Sequence, residues 1–525
     1  MILEDRKLLE AVESHIERES VNAEWALKVV SDRLLDVYAK IKDDYLRERG
    51  SDVEDVVERL LFALSGERTE RPQLMEDTVI VAEELLPSTV AELDFGRIRA
   101  IATDSGGWTS HTAIIARGLG IPAVVGLRDF YRQARTGDEI IVDAGRGEIV
   151  LHPTVRSAHG YRSAHGRKHE LSTAFVPVEA QASAHEPLVT VDGVEIILRA
   201  NLELPPEYAG IDRFGARGVG LFRTEFMLSQ RDSMPLEEEQ YQAYLKVAQL
   251  GGADGAILRL FDLGGDKGAP AGFEPERNPA LGLRGIRFCL RHEELFRTQV
   301  RAVLRAGAQA RVSAVVPMVS DVTDMRRARA LFDEERARLT ADKVSVGRVR
   351  LGAMIEVPAA VMLAAELARE VDFLSLGTND LVQYLLAVDR DNDQVSDWFR
   401  SLHPAVLQSV RKTISAAVAA AIPIVVCGEM AASPAYALIL IGLGARELSM
   451  SAASIPRVRR MVKGIDELTA AAIADDCLKQ ATADDVEELV RVRLGSHWPE
   501  LFPPKSLPAA RAKAAAVVAH IGGEV

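Results

Sequence analysis

Phe373-Leu374-Ser375-Leu376-Gly377-Thr378-Asn379-Asp380-Leu381 is a short apolar run that breaks at a glycine into polar residues and then resumes an apolar pattern. Three apolar residues and one serine bounded by turn chemistry are too few for a helix and read as a strand buried on both faces. The pattern recurs at Val194–Ala200, Gly218–Phe222, Ala256–Phe261, Ser313–Pro317, Leu351–Ile355, Ile424–Cys427 and Glu447–Met450. Each run is followed by a loop and a helical pattern, and with Phe373–Leu376 they number eight. Alternating strands and helices suit either a doubly wound sheet or a (β/α)8 barrel; the count of eight and the length covered favour the barrel.

Polar residues cluster just past the ends of these runs, where barrels place their active sites. In order they are Asn201; Arg223 and Glu225; Arg259 with Asp262; Met318 with Ser320; Glu356; Asn379 and Asp380; Cys427, Gly428 and Glu429; and Ser449 with Ser451. Arg284 and Arg390 fall in the loops after the third and sixth runs. One such arginine is most simply a surface ion pair, worth little. Four of them with Lys267 around one mouth predict a small, highly anionic substrate, because guanidinium forks match phosphate and carboxylate oxygens. Carboxylates among them suit Mg²⁺, which takes one or two protein oxygens and completes its shell with substrate and water.

Upstream, His111 sits in Thr103-Asp104-Ser105-Gly106-Gly107-Trp108-Thr109-Ser110-His111-Thr112-Ala113-Ile114-Ile115-Ala116-Arg117. Glycines there permit tight turns and close approach, and the helical pattern that follows offers free N–H groups suited to phosphate. A lone histidine is more often structural than reactive, though an imidazole in this setting can act as a nucleophile and carry a phosphoryl group. Short apolar runs at Val79–Ala82, Ile98–Thr103, Ala123–Val125 and Glu139–Asp143 make this segment a small α/β unit ending near His152. Residues 1–66 read as helices, with stripes at Leu34, Leu35, Tyr38, Ile41, Tyr45 and Leu46 and at Val53, Val56, Val57, Leu60, Leu61 and Leu64. Ser51 with Glu54 forms a capping box for the second stripe. Residues 155–185, rich in Arg, His, Ser and Ala, read as a polar connector.

The chain's 525 residues predict several domains, and 48% apolar with 27% charged residues is a globular composition. A net charge of −14 argues against a nucleic-acid surface. Three scattered cysteines argue against a disulfide framework, and neither a secretory pattern nor a membrane-length apolar run is present, so a cytoplasmic protein is expected. Residues 1–70 carry 18 Asp and Glu against 11 Lys and Arg, about half the acidic excess. Composition alone reads this as a solvated helical face.

Two sets of motifs carry a resemblance. Gly106-Gly107 and Thr109-Ser110-His111-Thr112, followed by Gly120-Ile121-Pro122-Ala123-Val124-Val125-Gly126, closely resemble the phosphohistidine segment of the phosphoenolpyruvate (PEP)-utilising enzymes. Gly220–Phe226, Asp262–Lys267, Asn278–Arg284, Gly377–Leu381, Ala387–Arg390 and Cys427–Glu429 resemble, in the same order, the PEP-binding barrel of one branch, enzyme I of the bacterial phosphotransferase system. The resemblance implies a multidomain α/β protein with four parts. Residues 1–70 would be a helical docking subdomain for the phosphocarrier HPr, and 71–154 a swivelling phosphohistidine domain. Residues 155–185 would be a hinge, and 186–525 a PEP-binding (β/α)8 barrel that also forms a homodimer.

It implies that His111 is phosphorylated by PEP and passes the group to HPr. Arg223, Arg259 and Arg390 would hold the phosphate and carboxylate of PEP, with Asn379 assisting and Arg284 and Lys267 nearby. Glu356 and Asp380 would bind Mg²⁺, and Cys427 would protonate the enolpyruvate carbon. Branches of the family that use ATP need a large additional domain, for which 525 residues leave no room. Met1-Ile2-Leu3-Glu4-Asp5 resembles an internal stretch of enzyme I, so its opening segment is expected to be missing, and Trp108 is bulkier than the family pattern. The alternative from another class is a non-catalytic regulatory binder. Retention of the histidine, both carboxylates, the arginines and the thiol argues against it. Sugar-uptake and nitrogen-related branches both remain open.

Overall fold

The computed structural model describes residues 6–39, 64, 78–83, 85, 97–105, 116, 121–144, 147–154, 157, 161, 186–203, 205–228, 234–264, 276, 278–390, 392–502 and 507–508. The chain divides into two compact units, Met1–Glu76 and Asp77–Val525.

In the first unit, helices Arg6–Glu19 and Ala23–Ala39 pack on each other. Ser20 turns the chain with a positive φ, and Asn22 Oδ1 accepts the Trp25 N–H at 3.0 Å to start the second helix. Ala26 and Leu27 are buried between them. The expected stripe at Val53–Leu61 and its Ser51–Glu54 box lie outside the described residues; Leu64 is helical.

The second unit begins with strands β1 (Thr78–Ala82), β2 (Ile98–Thr103) and β3 (Ala123–Val124), which form a parallel sheet in that order. Asp104, just past β2, accepts the Phe130 and Tyr131 N–H groups at 2.7 and 3.0 Å and so anchors the short helix Phe130–Gln133. β4 (Ile140–Asp143) is joined by an antiparallel strand, β5 (Glu148–Leu151), that the apolar runs do not reveal. The connector at 155–185 lies outside the described residues except Ser157 and Tyr161.

The rest of the described chain is built on a closed eight-stranded parallel barrel: β6 (Ile197–Leu202), β7 (Val219–Arg223), β8 (Ala256–Arg259), β9 (Val312–Val316), β10 (Arg350–Ile355), β11 (Phe373–Gly377), β12 (Ile424–Cys427) and β13 (Glu447–Ser451). Each of the eight expected runs supplies one strand, and β13 pairs with β6 (Glu447 beside Ile197) to close the ring. The first strand starts later than its run, because Val189 to Glu195 is a small bridge and turn ahead of it. Seven buried residues, Leu221, Ile257, Val315, Met354, Phe373, Val425 and Cys427, fill the lumen, so the barrel is a packed core rather than a pore. Phe373 fits because Gly352 on the neighbouring strand has no side chain; a Cβ there would lie 2.5 Å from the ring.

Outside, helices such as Glu237–Leu250, Glu293–Ala306, Val322–Ala341, Pro404–Ala419 and Pro434–Gly442 bury their apolar faces on the strands. Helices begin where the sequence supplies a capping side chain: Asp321, Asp466 and Thr482 accept the Thr323, Thr469 and Asp485 N–H groups. Two final helices, Glu467–Leu478 and Ala483–His497, complete the outer layer. No helix among the described residues is long and apolar enough to cross a membrane.

Candidate functional site

Arg223 and Arg259 are the last residues of β7 and β8 and stand beside each other in the register, so two guanidiniums rise from adjacent strands at one mouth. Each is held by carboxylates. Arg223 Nη1 pairs with Glu203, whose own N–H is held by Glu207 Oε2 at 2.6 Å. Arg259 pairs with Glu225 and, through Nη1 at 3.2 Å, with Asp262. Burial pulls the pKa of Arg223 down, but Glu203, Asp380 and Glu429 more than reverse this, and the net shift is upward. For Arg259 burial prevails, with Arg223 adding to it, and the shift is downward. Arg223 Nε and Arg259 Nε are buried without a hydrogen-bond partner among the described residues, two N–H donors available to a ligand.

Asp262 is the hub. Its carboxylate, fully buried, takes Arg284 in a two-pronged bond (Nε to Oδ1 and Nη2 to Oδ2, both 3.0 Å) while also facing Arg259. Arg284 further donates to Asp380 Oδ1 at 3.0 Å and to Tyr384 Oη at 2.7 Å. Glycines bring these segments together. Gly264 has φ +90°, and a Cβ there would lie 1.9 Å from the Leu283 carbonyl oxygen; the Gly285 N–H donates to the Leu263 carbonyl at 3.1 Å. Arg284 thus lies beneath the mouth, completely buried, where it orients two carboxylates.

Glu356 follows β10. Its Oε1 accepts the Met318 N–H at 2.6 Å, and its Oε2 is buried with no hydrogen-bond partner among the described residues. Burial, then repulsion from Asp380 and Asp262, pushes its pKa up to about 7. A Cβ on Gly377 would lie 2.9 Å from that Oε2, so the glycine keeps the space beside it clear. A buried carboxylate oxygen with no partner, next to a second carboxylate, is a donor set that fits a divalent cation. Among the described residues no cluster of three or more His, Cys, Asp or Glu side chains forms a metal cage; Glu356 and Asp380 are a pair.

Asp380 and Asn379 open the helix Thr378–Leu386 after β11. Asn379 Oδ1 accepts the Glu429 N–H at 3.0 Å, tying this turn to the one after β12. Arg390 reaches Asp380 Oδ1 at 3.8 Å, and its N–H donates to Gln383 Oε1 at 3.2 Å. Cys427 ends β12 with its sulfur in the lumen, 3.4 Å from Ser375 Oγ and 3.3 Å from the Leu376 carbonyl oxygen. Burial pushes its thiol pKa up, against a counteracting bond from Ser375, so the group holds its proton near neutral pH.

Seven of the expected site residues in the barrel, together with Cys427, are thereby brought to the same end of the ring. Lys267, His111 and Trp108 lie outside the described residues. Sequence reasoning did not anticipate Glu203 or Tyr384, and it counted the arginines as surplus positive charge. Instead, four guanidiniums face five carboxylates: Glu203, Glu225, Asp262, Glu356 and Asp380. Such a mouth has the charges to balance a highly anionic molecule together with a divalent cation.

The sequence pattern of the PEP-utilising enzymes' PEP-binding domain matches residues 178–467, their mobile domain matches 74–147 and their N-terminal domain matches 1–49. The chain belongs to the family of PEP-utilising enzymes. Within that family it is similar to the phosphoenolpyruvate-protein phosphotransferase of Listeria monocytogenes, 39% identical over 495 residues, covering 93% of this chain and 85% of that protein. The protein of the same name from Geobacillus stearothermophilus is 38% identical over 494 residues, covering 94% and 85%. Among solved structures, an NMR solution structure of an Enzyme I protein is 37% identical, covers 32% of this chain and 68% of that one, and superposes with a TM-score of 0.25.

Proposed function

We propose that this chain is a PEP:protein phosphotransferase that moves the phosphoryl group of PEP to His111 and then to a histidine of the carrier HPr. The observation that carries the reading is the barrel mouth: paired Arg223 and Arg259 with available N–H donors, together with a buried Glu356 oxygen that has no hydrogen-bond partner among the described residues. Arg223, Arg259 and Arg390 take the phosphate and carboxylate of PEP, and Asn379 fixes one oxygen. Arg284 acts through Asp262 and Asp380, and Lys267 adds charge to the same loop. Mg²⁺, held by Glu356 and Asp380, would neutralise charge on the phosphate and the departing oxygen.

His111 Nε2 or Nδ1 attacks phosphorus, and the bond from phosphorus to the enol oxygen breaks with its electrons leaving on that oxygen. The arginines, already fixed by their carboxylates, stabilise this charge without reorganising. The enolate carbon then takes the proton of Cys427, giving pyruvate and a thiolate that solvent reprotonates. Residues 71–154 form the phosphohistidine domain, 155–185 the hinge that lets one histidine serve two partners, and 1–70 the acidic docking surface for HPr, whose rim is basic in this family. The protein works in the cytoplasm.

Incubation of the protein with PEP labelled in its phosphoryl group and Mg²⁺ tests the reading directly. Acid-labile, base-stable label on the protein supports it; a protein that binds PEP and takes no label is a regulatory binder instead.

Cys427→Ala should bind PEP and still phosphorylate His111, while net turnover falls about 10²-fold or more, the scale of general acid catalysis. Pyruvate formed from stereospecifically labelled PEP in heavy water should then lose its facial preference. Full turnover with one-sided protonation would make Cys427 a core thiol only.

The barrel region (186–525) pairs as a homodimer. In ultracentrifugation of the full chain with PEP and Mg²⁺ at micromolar concentration a dimer is expected, and a monomer throughout would refute this.

A further inference from the structure

Gln299 lies on the buried face of the helix Glu293–Ala306, among Phe296, Val300 and Val303, where the helical pattern calls for an apolar residue. It is completely buried, and its amide makes three hydrogen bonds. Oε1 accepts the Phe261 N–H at 3.0 Å, and Nε2 donates to Thr224 Oγ1 at 3.1 Å and to Tyr244 Oη at 3.0 Å. The protons run in one consistent order. Thr224 Oγ1 donates to the Arg259 carbonyl at 2.7 Å, Tyr244 Oη donates to Gln240 Oε1 at 3.1 Å, and Gln240 Nε2 donates to the Pro235 carbonyl at 2.9 Å. Every atom of the Gln299 amide is used, which also fixes which end is oxygen.

Two of the three bonded groups, at Phe261 and Thr224, belong to strand ends; Tyr244 is on the helix Glu237–Leu250. The ladder of β8 stops at Arg259, after which the Leu260 N–H still finds the Val315 carbonyl. At Phe261 the chain leaves the sheet and its N–H loses a sheet partner; the Gln299 carbonyl replaces it. Cys289 Sγ, 3.5 Å away, donates to the Phe261 carbonyl from the preceding helix. Phe261 lies two residues after Arg259 and one before Asp262, while Thr224 lies between Arg223 and Glu225. A single amide therefore pins the backbone on which both arginines, and the carboxylates that orient Arg259, are mounted. An apolar residue at 299, even with Thr224 and Tyr244 replaced to match, would leave the buried Phe261 N–H unpaired. What an apolar residue cannot do is tie β7 to β8 at their outgoing ends.

We propose that Gln299 is a positioning residue for PEP binding: through Thr224 and the Phe261 N–H it sets the spacing of Arg223 and Arg259 that the phosphate and carboxylate of the substrate must meet. This rests on the phosphotransferase reading. Misplacing such groups by about an ångström is enough to cost a large factor in rate.

The test compares the full-length protein with Gln299→Leu, Thr224→Val and Tyr244→Phe. It measures label transfer from PEP over a range of PEP concentrations, affinity for PEP with Mg²⁺ by calorimetry, and the thermal midpoint. Gln299→Leu and Thr224→Val should each lower kcat/KM for PEP at least tenfold, mainly by raising KM, and weaken PEP binding to match. Tyr244→Phe keeps the ring against Phe222 and leaves the Gln299 bonds to Thr224 and to the Phe261 N–H in place, and should stay within threefold. Transfer from phosphorylated His111 to HPr, which does not use the barrel mouth, should be unchanged in all three. PEP affinity and KM within twofold of the parent in Gln299→Leu would overturn the proposal. So would losses in all three variants that simply follow the thermal midpoint. Should Gln299→Leu fail to fold, the near-isosteric Thr224→Val decides by the same criteria. A parent protein that binds PEP but takes no label would sink the phosphotransferase reading alone, since tenfold weaker binding by Gln299→Leu would still uphold the positioning role.

Discussion

Replacing His111 with alanine is expected to leave the protein unable to accept label from PEP, while the barrel still binds PEP with Mg²⁺. The expectation separates two functions that the sequence assigns to different segments. The mobile-domain pattern spans 74–147 and contains the histidine, whereas the PEP-binding pattern spans 178–467 and contains the arginines and carboxylates. Cys427 lies buried in the lumen with a raised pKa, so it is a thiol rather than a thiolate and a poor phosphoryl acceptor. Label retained on the alanine variant would sink the assignment of His111. Loss of PEP binding together with labelling would show that the histidine segment contributes to the substrate site itself.

Arg259→Ala should raise the barrier to phosphorylation by roughly 3–5 kcal/mol, a loss of 10²-fold or more, the scale for removing one partner of a desolvated charge pair. It should also lower stability, because Glu225 and the fully buried Asp262 would lose a counter-charge. Arg390→Ala should produce a comparable kinetic loss with much less effect on stability, since Arg390 is more exposed and sits 3.8 Å from its carboxylate neighbour. The contrast is the useful readout. Rates are followed by label transfer and stability by chemical denaturation. Arg259→Lys should not rescue the rate, because an ammonium cannot reproduce the fork that contacts Asp262 and a phosphate together. Activity within about threefold of the parent for either alanine variant would mean a difference well under 1 kcal/mol, and that arginine would be a structural ion-pair partner only.

The barrel was legible because parallel strands buried on both faces read as near-continuous apolar runs, such as Ile424–Cys427. What blurred was where strands start: Val194 continues an apolar run in sequence but belongs to a turn, since its N–H group reaches Thr190 Oγ1 at 3.0 Å rather than a neighbouring strand. β5 escaped notice because Glu148–Leu151 is four residues long and follows a glycine-bearing turn, so it reads as the frayed end of a unit. At the site, the arginines were visible as residue types, and their partners were not. Glu203 meets Arg223 across 20 positions and Tyr384 meets Arg284 across 100, distances over which no local pattern carries information. Gln299 was hidden for a different reason. On a helix it looks like an ordinary surface residue, and only the place where β8 leaves the sheet gives its amide a task.

The closure of the barrel by β6 and β13 has a consequence for how the protein is made. The first strand's outer edge is completed only by the last strand, 250 positions later from Ile197 to Glu447. At the roughly 5–20 residues per second of bacterial and eukaryotic ribosomes, β6 waits on the order of 10–50 s for its partner. Throughout that interval a nascent, curling sheet presents an open apolar edge, the kind that pairs with the wrong chain. Newly made protein is thus expected to be most vulnerable to aggregation just before its eighth strand emerges. A factor that shields hydrophobic edges during translation should therefore raise the yield of active protein more than one that acts on the finished chain.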